Sequence, residues 1–193
     1  LSLAQFEKIF ENNENDKKGV MKENAKYFYY AEQQYNVNGV FLASVAIHES
    51  NWGTSAMAQN KKNLFGYGAY DRDPSGNAYS FASYSEGIDL LARVFVKYYL
   101  NPKGTTIYNG ETATGSHYNG NTLTAVNTKY ATDKNWANSV YKWMKYLYNK
   151  IKNKMKNSKK ISCYFFHSSV KCYMYNIYMK NKRKLNKERG III

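Results

Sequence analysis

One segment constrains the fold more than any other, the apolar run Gly39-Val-Phe-Leu-Ala-Ser-Val-Ala-Ile47 that follows Asn38. Because almost every position is apolar, a helix formed here has no face that suits water. The run is far shorter than the ~20 apolar residues that a membrane span requires. It therefore predicts a central helix that is buried on all sides and that carries the polar residues His48 and Glu49 at its end.

Apolar residues at helical spacing predict several further helices, and the capping pattern Ser83-x-x-Glu86 marks the start of the most secure one. The predicted helices cover residues 2–10, 20–35, 54–60, 84–100 and 136–151. Turn-forming residues between Leu64 and Phe81 favour a small β-hairpin or an irregular lobe. Residues 101–120 are predicted to form a long loop, and loops of this length are often functional. The predicted fold class is mainly α with a small β-hairpin lobe (α+β).

The formal net charge of +14 is concentrated at one end of the chain. Residues 1–149 carry 15 basic against 13 acidic side chains, whereas residues 150–193 carry 13 against 1. The body is thus nearly neutral, and the sequence offers no basis for a nucleic-acid partner outside the tail. We expect a folded domain over residues 1–150 and a basic, low-complexity tail over residues 151–193. The tail is either an appendage outside the fold or a basic arm that binds an anionic polymer.

Neither a metal nor an organic cofactor is expected from the sequence. The three histidines, His48, His117 and His167, lack the spacing of metal ligands, and Cys163 and Cys172 have no second cysteine pair with which to form a zinc ribbon. No serine nucleophile elbow and no phosphate-binding glycine loop is present. The sequence begins at Leu1 rather than at a methionine, so no compartment follows from its first residues.

Glu49 is the strongest candidate for chemistry. It closes an apolar helix, where its negative charge meets the negative end of the helix dipole at a typical cost of ~0.3 to 1 kcal/mol. Beside a buried helix and Trp52 its carboxyl would lose water, which raises a carboxyl pKa and suits a proton donor near neutral pH. The alternative is a structural glutamate held in a salt bridge.

The aromatic content of 17% points either to carbohydrate binding or to core packing. Flat rings stack on the apolar faces of sugars, while neighbouring Asn, Asp and Thr side chains bond to the hydroxyl groups. For any single ring, packing in the core remains the competing interpretation. The rings that stand among such polar residues are Trp52, Tyr67, Tyr70, Tyr79 and Tyr130.

Two motifs in order, Ala46-Ile-His-Glu-Ser-Asn-Trp-Gly-Thr-Ser55 and Asn63-Leu-Phe-Gly66, resemble those of the bacterial endo-β-N-acetylglucosaminidases found in cell-wall autolysins. Ser83-Tyr-Ser-Glu-Gly87 and Lys129-Tyr-Ala-Thr-Asp133 extend the resemblance, which covers about residues 39–150. It implies a lysozyme-like, mainly helical fold with a groove between two lobes. It also implies a secreted, monomeric enzyme that cuts peptidoglycan in the cell wall after N-acetylglucosamine, without a membrane span.

The resemblance also implies roles for individual residues. Glu49 matches the family's general acid, Tyr130 matches its functional tyrosine, and the run from Asn63 through Leu64 and Phe65 to Gly66 matches the wall beside its groove. Where several relatives carry a second Glu, this hairpin holds only Asp71 and Asp73, so the second catalytic group is either one of these or the acetamido group of the substrate.

Three other functions fit the same sequence features. A muramidase or lytic transglycosylase would share the fold and the single acid, and a non-catalytic wall-binding module would share the aromatic groove. A basic tail alone would account for a nucleic-acid binder or for a protein that attaches to anionic wall polymers.

Overall fold

A computed structural model describes residues 1–68 and 78–158 of the 193-residue chain. Within these ranges there is no β-strand beyond an isolated antiparallel bridge between Thr106 and Thr112. The prediction of a mainly helical protein is confirmed, and the centre of the predicted hairpin lies outside the described residues. The α-helices are α1 (Leu3–Phe10), α2 (Val20–Tyr35), α3 (Gly39–Ser50), α4 (Ala56–Lys61), α5 (Tyr84–Val94), α6 (Leu123–Tyr130) and α7 (Trp136–Ser158).

Helix α3 forms the centre of the structure, as its sequence predicts. Ten of its twelve residues are buried, and the two that are not are His48 and Glu49. It contacts α2, α5 and α7. A Cβ atom on Gly39 would lie only 2.7 Å from the carbonyl oxygen of Phe28, so the close approach of α2 and α3 requires a glycine at this position. Burial on all sides fixes α3 and therefore fixes the place where its polar end emerges.

The chain turns sharply where α3 ends. Asn51, Trp52 and Gly53 have φ angles of 50°, 59° and 73°, so three successive residues adopt the left-handed conformation. This conformation is common for the residue that follows a helix and uncommon for a bulky residue such as tryptophan. The turn directs the Trp52 side chain into the core, where its ring lies 6.4 Å from Phe10 and 5.4 Å from Trp143.

The other predicted helices form in the predicted places but not always with the predicted length. Helix α2 has the predicted bounds. The helix predicted over residues 84–100 is α-helical to Val94 and continues as one π-helical turn, Phe95–Tyr99. Helix α7 begins at the predicted Trp136 and extends to Ser158, seven residues beyond its predicted end. Helix α6 was not predicted, although Thr122 caps it by accepting from the Ala125 amide at 3.2 Å.

The predicted long loop lies between the π-helical turn and α6. A short 3₁₀ turn, Tyr108–Gly110, and an ion pair between Lys97 and Glu111 at 2.7 Å give it local order. His117 in the same loop places its ring 4.9 Å from that of Tyr99. Across residues 1–68 and 78–158, no helix combines the length and the apolar character needed to cross a membrane.

A chain shortened to end at Lys152 should unfold as cooperatively as the full chain, because Ile151 is the last α7 side chain described as part of the core. We expect the two midpoints of thermal unfolding, measured by circular dichroism, to agree within about 2 °C. A chain ending at Asn149 loses Ile151 and should unfold at a clearly lower temperature. A lower midpoint already at Lys152 would show that later residues contribute to the fold.

Candidate active site

Glu49 lies one residue before the end of α3, where the buried helix reaches the surface. Its side chain as a whole is exposed, yet protein atoms around the carboxyl remove part of its water. The loss of water raises the pKa of Glu49. Two weaker influences lower it, a hydrogen bond from Trp136 and the charge of His48. The carboxyl thus has the properties of a proton donor that solvent and a ligand can reach.

Trp136, the first residue of α7, is the direct partner of this carboxyl. Its indole Nε1–H donates a hydrogen bond to Glu49 Oε1 at 2.8 Å. The sequence predicted Trp136 only as an apolar position of the last helix. The two residues are 87 positions apart, and no local pattern links them.

Tyr130, the last residue of α6, lies next to this pair. Its ring centroid lies 4.9 Å from that of Trp136 and 5.0 Å from that of Phe95. Burial raises the pKa of Tyr130 well above its ordinary value of 10, and the charge of Glu49 raises it further. The Tyr130 hydroxyl therefore keeps its proton and can donate it in a hydrogen bond. The structure places Glu49 and Tyr130 together, as the resemblance implies.

A row of aromatic rings leads away from Glu49 toward the predicted hairpin. Tyr130 lies 5.7 Å from Tyr99, and Tyr99 in turn interacts electrostatically with Tyr67. The Tyr67 ring lies 5.5 Å from Tyr79, which is 58% exposed. We call this set the aromatic row. Its members, in order from Glu49, are Trp136, Tyr130, Tyr99, Tyr67 and Tyr79.

Asn63 holds the outer end of the aromatic row in place. Its side-chain amide donates to the carbonyl oxygens of Tyr67 and Tyr79, both at 3.0 Å. Its side-chain oxygen accepts from the amides of Phe65 at 3.2 Å and Tyr67 at 3.1 Å. Asn63 is 1% exposed, so the expectation that it contacts substrate is corrected: it shapes the surface from below and does not form part of it.

Three residues expected to contact a ligand are instead part of the core. Trp52, Leu64 and Phe65 are 3%, 1% and 4% exposed. The left-handed turn after α3 explains why Trp52 is buried. The hydrogen bonds of Asn63 hold the loop that covers Leu64 and Phe65. The expectation that Trp52 stacks on a sugar is therefore corrected, and Leu64 and Phe65 support the wall from behind.

Gly66 remains at the surface as expected. It has a φ of 66°, and a Cβ there would meet no atom within 4 Å, so the glycine serves the backbone conformation. Tyr70, Asp71 and Asp73 lie outside the described residues. In the part of the chain that the structure describes, no three His, Cys, Asp or Glu side chains are grouped as a metal site would require.

Asn127 fixes the junction between α6 and α7, and the sequence analysis missed it. Its amide donates to the carbonyl oxygen of Asp133 at 2.8 Å and, more weakly, to that of Ala131 at 3.4 Å. Its oxygen accepts from the Ala137 amide at 3.2 Å. This one side chain thus joins the end of the helix that carries Tyr130 to the start of the helix that carries Trp136.

A partly desolvated acid beside a row of aromatic rings, most of them partly exposed, is typical of proteins that act on carbohydrate chains. A family model described as glucosaminidase, mannosyl-glycoprotein endo-β-N-acetylglucosaminidase, matches residues 25–149. The chain belongs to this glucosaminidase family.

Curated relatives give the same assignment. A putative endo-β-N-acetylglucosaminidase of Streptococcus pneumoniae serotype 4 is 30% identical over 139 residues, which cover 72% of this chain and 19% of the relative. A bifunctional autolysin of Staphylococcus aureus strain Mu50 is 30% identical over 159 residues, covering 69% of this chain and 12% of that protein. The chain thus spans less than one fifth of the length of these relatives.

Solved structures support the fold. Autolysin E of S. aureus in complex with the muropeptide NAM-L-Ala-D-iGlu superposes with a TM-score of 0.50 at 23% identity, covering 79% of this chain and 68% of that one. A catalytic glutamate-to-alanine mutant of the same protein, in complex with the disaccharide NAG-NAM, gives a TM-score of 0.51 at 22% identity and the same coverage. The described helices therefore share the fold of an autolysin.

Replacing Asn127 with alanine should loosen the α6–α7 junction. Because three backbone groups lose their partner, we expect the free energy of unfolding to fall by about 1–3 kcal/mol. Turnover should fall as well, since both Tyr130 and Trp136 depend on this junction. Thermal unfolding and turnover on purified cell walls measure the two effects.

The matched control is Asn119→Ala, which removes one exposed hydrogen bond to Thr128 on the same helix. Its effect on stability should stay within about 0.5 kcal/mol. Equal effects of the two substitutions would contradict a special role for Asn127.

Proposed function

We propose that the chain hydrolyses peptidoglycan at the β-1,4 bond between N-acetylglucosamine and N-acetylmuramic acid, with Glu49 as the general acid. The observation that carries this proposal is the Glu49 carboxyl itself, which lies at the exposed end of α3, accepts a hydrogen bond from Trp136 and has a raised pKa. Membership of the glucosaminidase family supports it. So do the names of the pneumococcal and staphylococcal relatives and the NAG-NAM disaccharide bound by autolysin E.

Glu49 performs the first chemical step in this proposal. Its raised pKa favours the protonated carboxyl that this step requires. The proton passes to the glycosidic oxygen as the bond from that oxygen to the anomeric carbon of N-acetylglucosamine breaks. The leaving sugar thereby gains a hydroxyl group, and Glu49 becomes a carboxylate.

A second group must act on the anomeric carbon, and we propose that the substrate supplies it. The 2-acetamido oxygen of N-acetylglucosamine is placed to attack this carbon from within the same sugar, as in substrate-assisted glycosidases. Water then attacks the same carbon, the bond from that carbon to the acetamido oxygen breaks, and the Glu49 carboxylate takes a proton from the water. Asp71 or Asp73 orients the acetamido group or the incoming water. Tyr130 stabilises, through its hydroxyl oxygen, the positive charge that develops near the anomeric centre.

The outer part of the aromatic row is the proposed sugar-binding wall. Tyr79 and Tyr67 offer ring faces on which a pyranose stacks. We further propose that residues 64–81 form the small hairpin lobe of a lysozyme-like fold. The Tyr79 amide donates to the Tyr67 carbonyl at 3.0 Å, and the Phe81 amide donates to that of Lys61 at 2.9 Å, as at the base of a hairpin. We include Tyr70 in this wall.

The cell wall outside the membrane is the proposed place of action, because the relatives include autolysins. We propose that the catalytic domain, residues 1–150, acts as a monomer and that a chain ending at Lys152 keeps its activity on purified walls. The basic residues 151–193 would add affinity for anionic wall polymers. Such a gain should shrink as salt is added.

The experiment that tests the function is digestion of purified peptidoglycan followed by mass spectrometry of the reducing ends. N-acetylglucosamine at the new reducing ends is the expected result. N-acetylmuramic acid ends, or their anhydro form, would instead identify a muramidase or a lytic transglycosylase. Intact walls after digestion would indicate a binding module without catalysis.

Glu49→Gln should lower turnover by about 100-fold or more, because the amide keeps the shape of the acid but cannot donate its proton to the leaving group. Binding to insoluble walls, measured by cosedimentation, should persist. Turnover near that of the wild type would overturn the assignment of Glu49 as the acid.

Asp71→Asn and Asp73→Asn distinguish the two mechanisms. If the acetamido group is the nucleophile, at least one of the two variants should lose much less turnover than Glu49→Gln. Measured on the same walls, an Asp variant as inactive as the Glu49 variant would show that the hairpin supplies an obligatory carboxylate. The substrate-assisted route would then be rejected.

A further inference from the structure

Trp136 makes a hydrogen bond to Glu49 that the packing of its ring in the core does not by itself explain. Its side chain is fully buried, and an indole N–H that is buried without a partner is costly. The only donor of the ring is directed at Glu49 Oε1 at 2.8 Å, a normal distance for a hydrogen bond to a carboxyl.

Trp52 provides the comparison within the same molecule. It is also buried, at 3% exposure against 2% for Trp136, and also packs against other aromatic rings. Yet among the described residues its indole N–H has no hydrogen-bond partner. Burial of a tryptophan in this protein therefore does not by itself bring a hydrogen bond to a carboxyl.

The location of Trp136 is fixed by bonds that do not involve Glu49. Its backbone amide donates to the Asp133 carbonyl at 3.1 Å, and Asn127 holds the next residue, Ala137. Its ring lies against that of Tyr130 at 4.9 Å. The indole is thus positioned by contacts that are independent of Glu49.

A donor on Oε1 has a consequence for the proton of Glu49. The indole nitrogen can donate but cannot accept, so a proton on Oε1 would compete with the indole N–H for the same oxygen. The acid proton therefore belongs on Oε2, the oxygen that does not accept from the indole. When the proton leaves, the bond from Trp136 becomes charge-assisted and stronger.

We propose that Trp136 is a positioning residue for the general acid, which holds the Glu49 carboxyl through Oε1, keeps the transferable proton on Oε2 and stabilises the carboxylate formed when that proton is transferred. This inference rests on the proposed function, since it gives Trp136 a role only if Glu49 donates the proton. Preorganised donors of this kind stabilise charge that develops during a reaction.

Other groups that act on Glu49 must be considered before pH effects are assigned to Trp136. In the described part of the chain, the titratable groups that interact with the carboxyl are His48 on α3 and Tyr130 on α6. From α7, Trp136 contributes only its uncharged indole. Replacing Trp136 with phenylalanine leaves both titratable groups in place, so it isolates the hydrogen bond.

Trp136→Phe should raise the pKa of Glu49, because the carboxylate loses a donor while the neutral acid loses less. The alkaline limb of the pH profile of kcat/KM should move up by about one pH unit, and turnover at the optimum should fall about tenfold. The matched control is Trp52→Phe, which truncates an equally buried ring without removing a hydrogen bond. It should leave the alkaline limb in place even if it lowers the unfolding midpoint.

A measurement on the unaltered protein, compared with Glu49→Gln, gives the same test without relying on a folded Trp136 variant. The chain has three tryptophans, so its indole N–H groups give three signals in a ¹⁵N–¹H spectrum. The Trp136 signal should shift with pH as Glu49 titrates, and the shift should vanish in Glu49→Gln. The Trp52 signal should not follow that titration.

A Trp136 signal that ignores the titration of Glu49, or an unmoved alkaline limb in a folded Trp136→Phe variant, would overturn the positioning role and leave the proposed function intact. Full activity of Glu49→Gln would instead remove the proposed function, whatever the indole signal does.

Discussion

The burial of α3 on all sides is the constraint on which the rest of the structure depends. A helix with ten buried residues out of twelve needs neighbours on every face, and α2, α5 and α7 supply them. Its two uncovered residues, His48 and Glu49, lie together at one end. A fully surrounded helix cannot shift or rotate without disturbing several contacts, so the acid is carried by the most rigid element that the chain can offer. The helices that stabilise the fold therefore also position the chemistry.

The sequence was sufficient for most of the helices because their signals are local. The apolar run of α3 and the capping pattern before α5 are contained within one segment each, and both helices form where they were predicted. Helix α6 was missed because its eight residues include threonine, asparagine and lysine and show little amphipathic pattern. Helix α6 is held by the hydrogen bonds of Asn127, whose partners lie beyond the end of the helix.

The candidate site was predicted only in part, because its members meet through tertiary contacts. Glu49 and Tyr130 came from the family motifs, and the structure brings them together. Two tryptophans differ from their predictions. Trp52, three residues after the acid in the sequence, turns into the core, whereas Trp136 is buried as predicted and in addition bonds to the acid. The left-handed turn at residues 51–53 directs Trp52 away from the acid, and composition alone does not reveal this turn.

The pKa of Glu49 is determined by opposing influences that come from different parts of the chain. The end of α3 and the loss of water both favour the neutral carboxyl. His48 and Trp136 favour the carboxylate, so they allow the proton to leave. Since the indole reaches Glu49 from α7, the balance depends on the packing of α7 against α3. Substitutions in that interface, distant from any sugar, should therefore alter the acid as well as the stability of the fold.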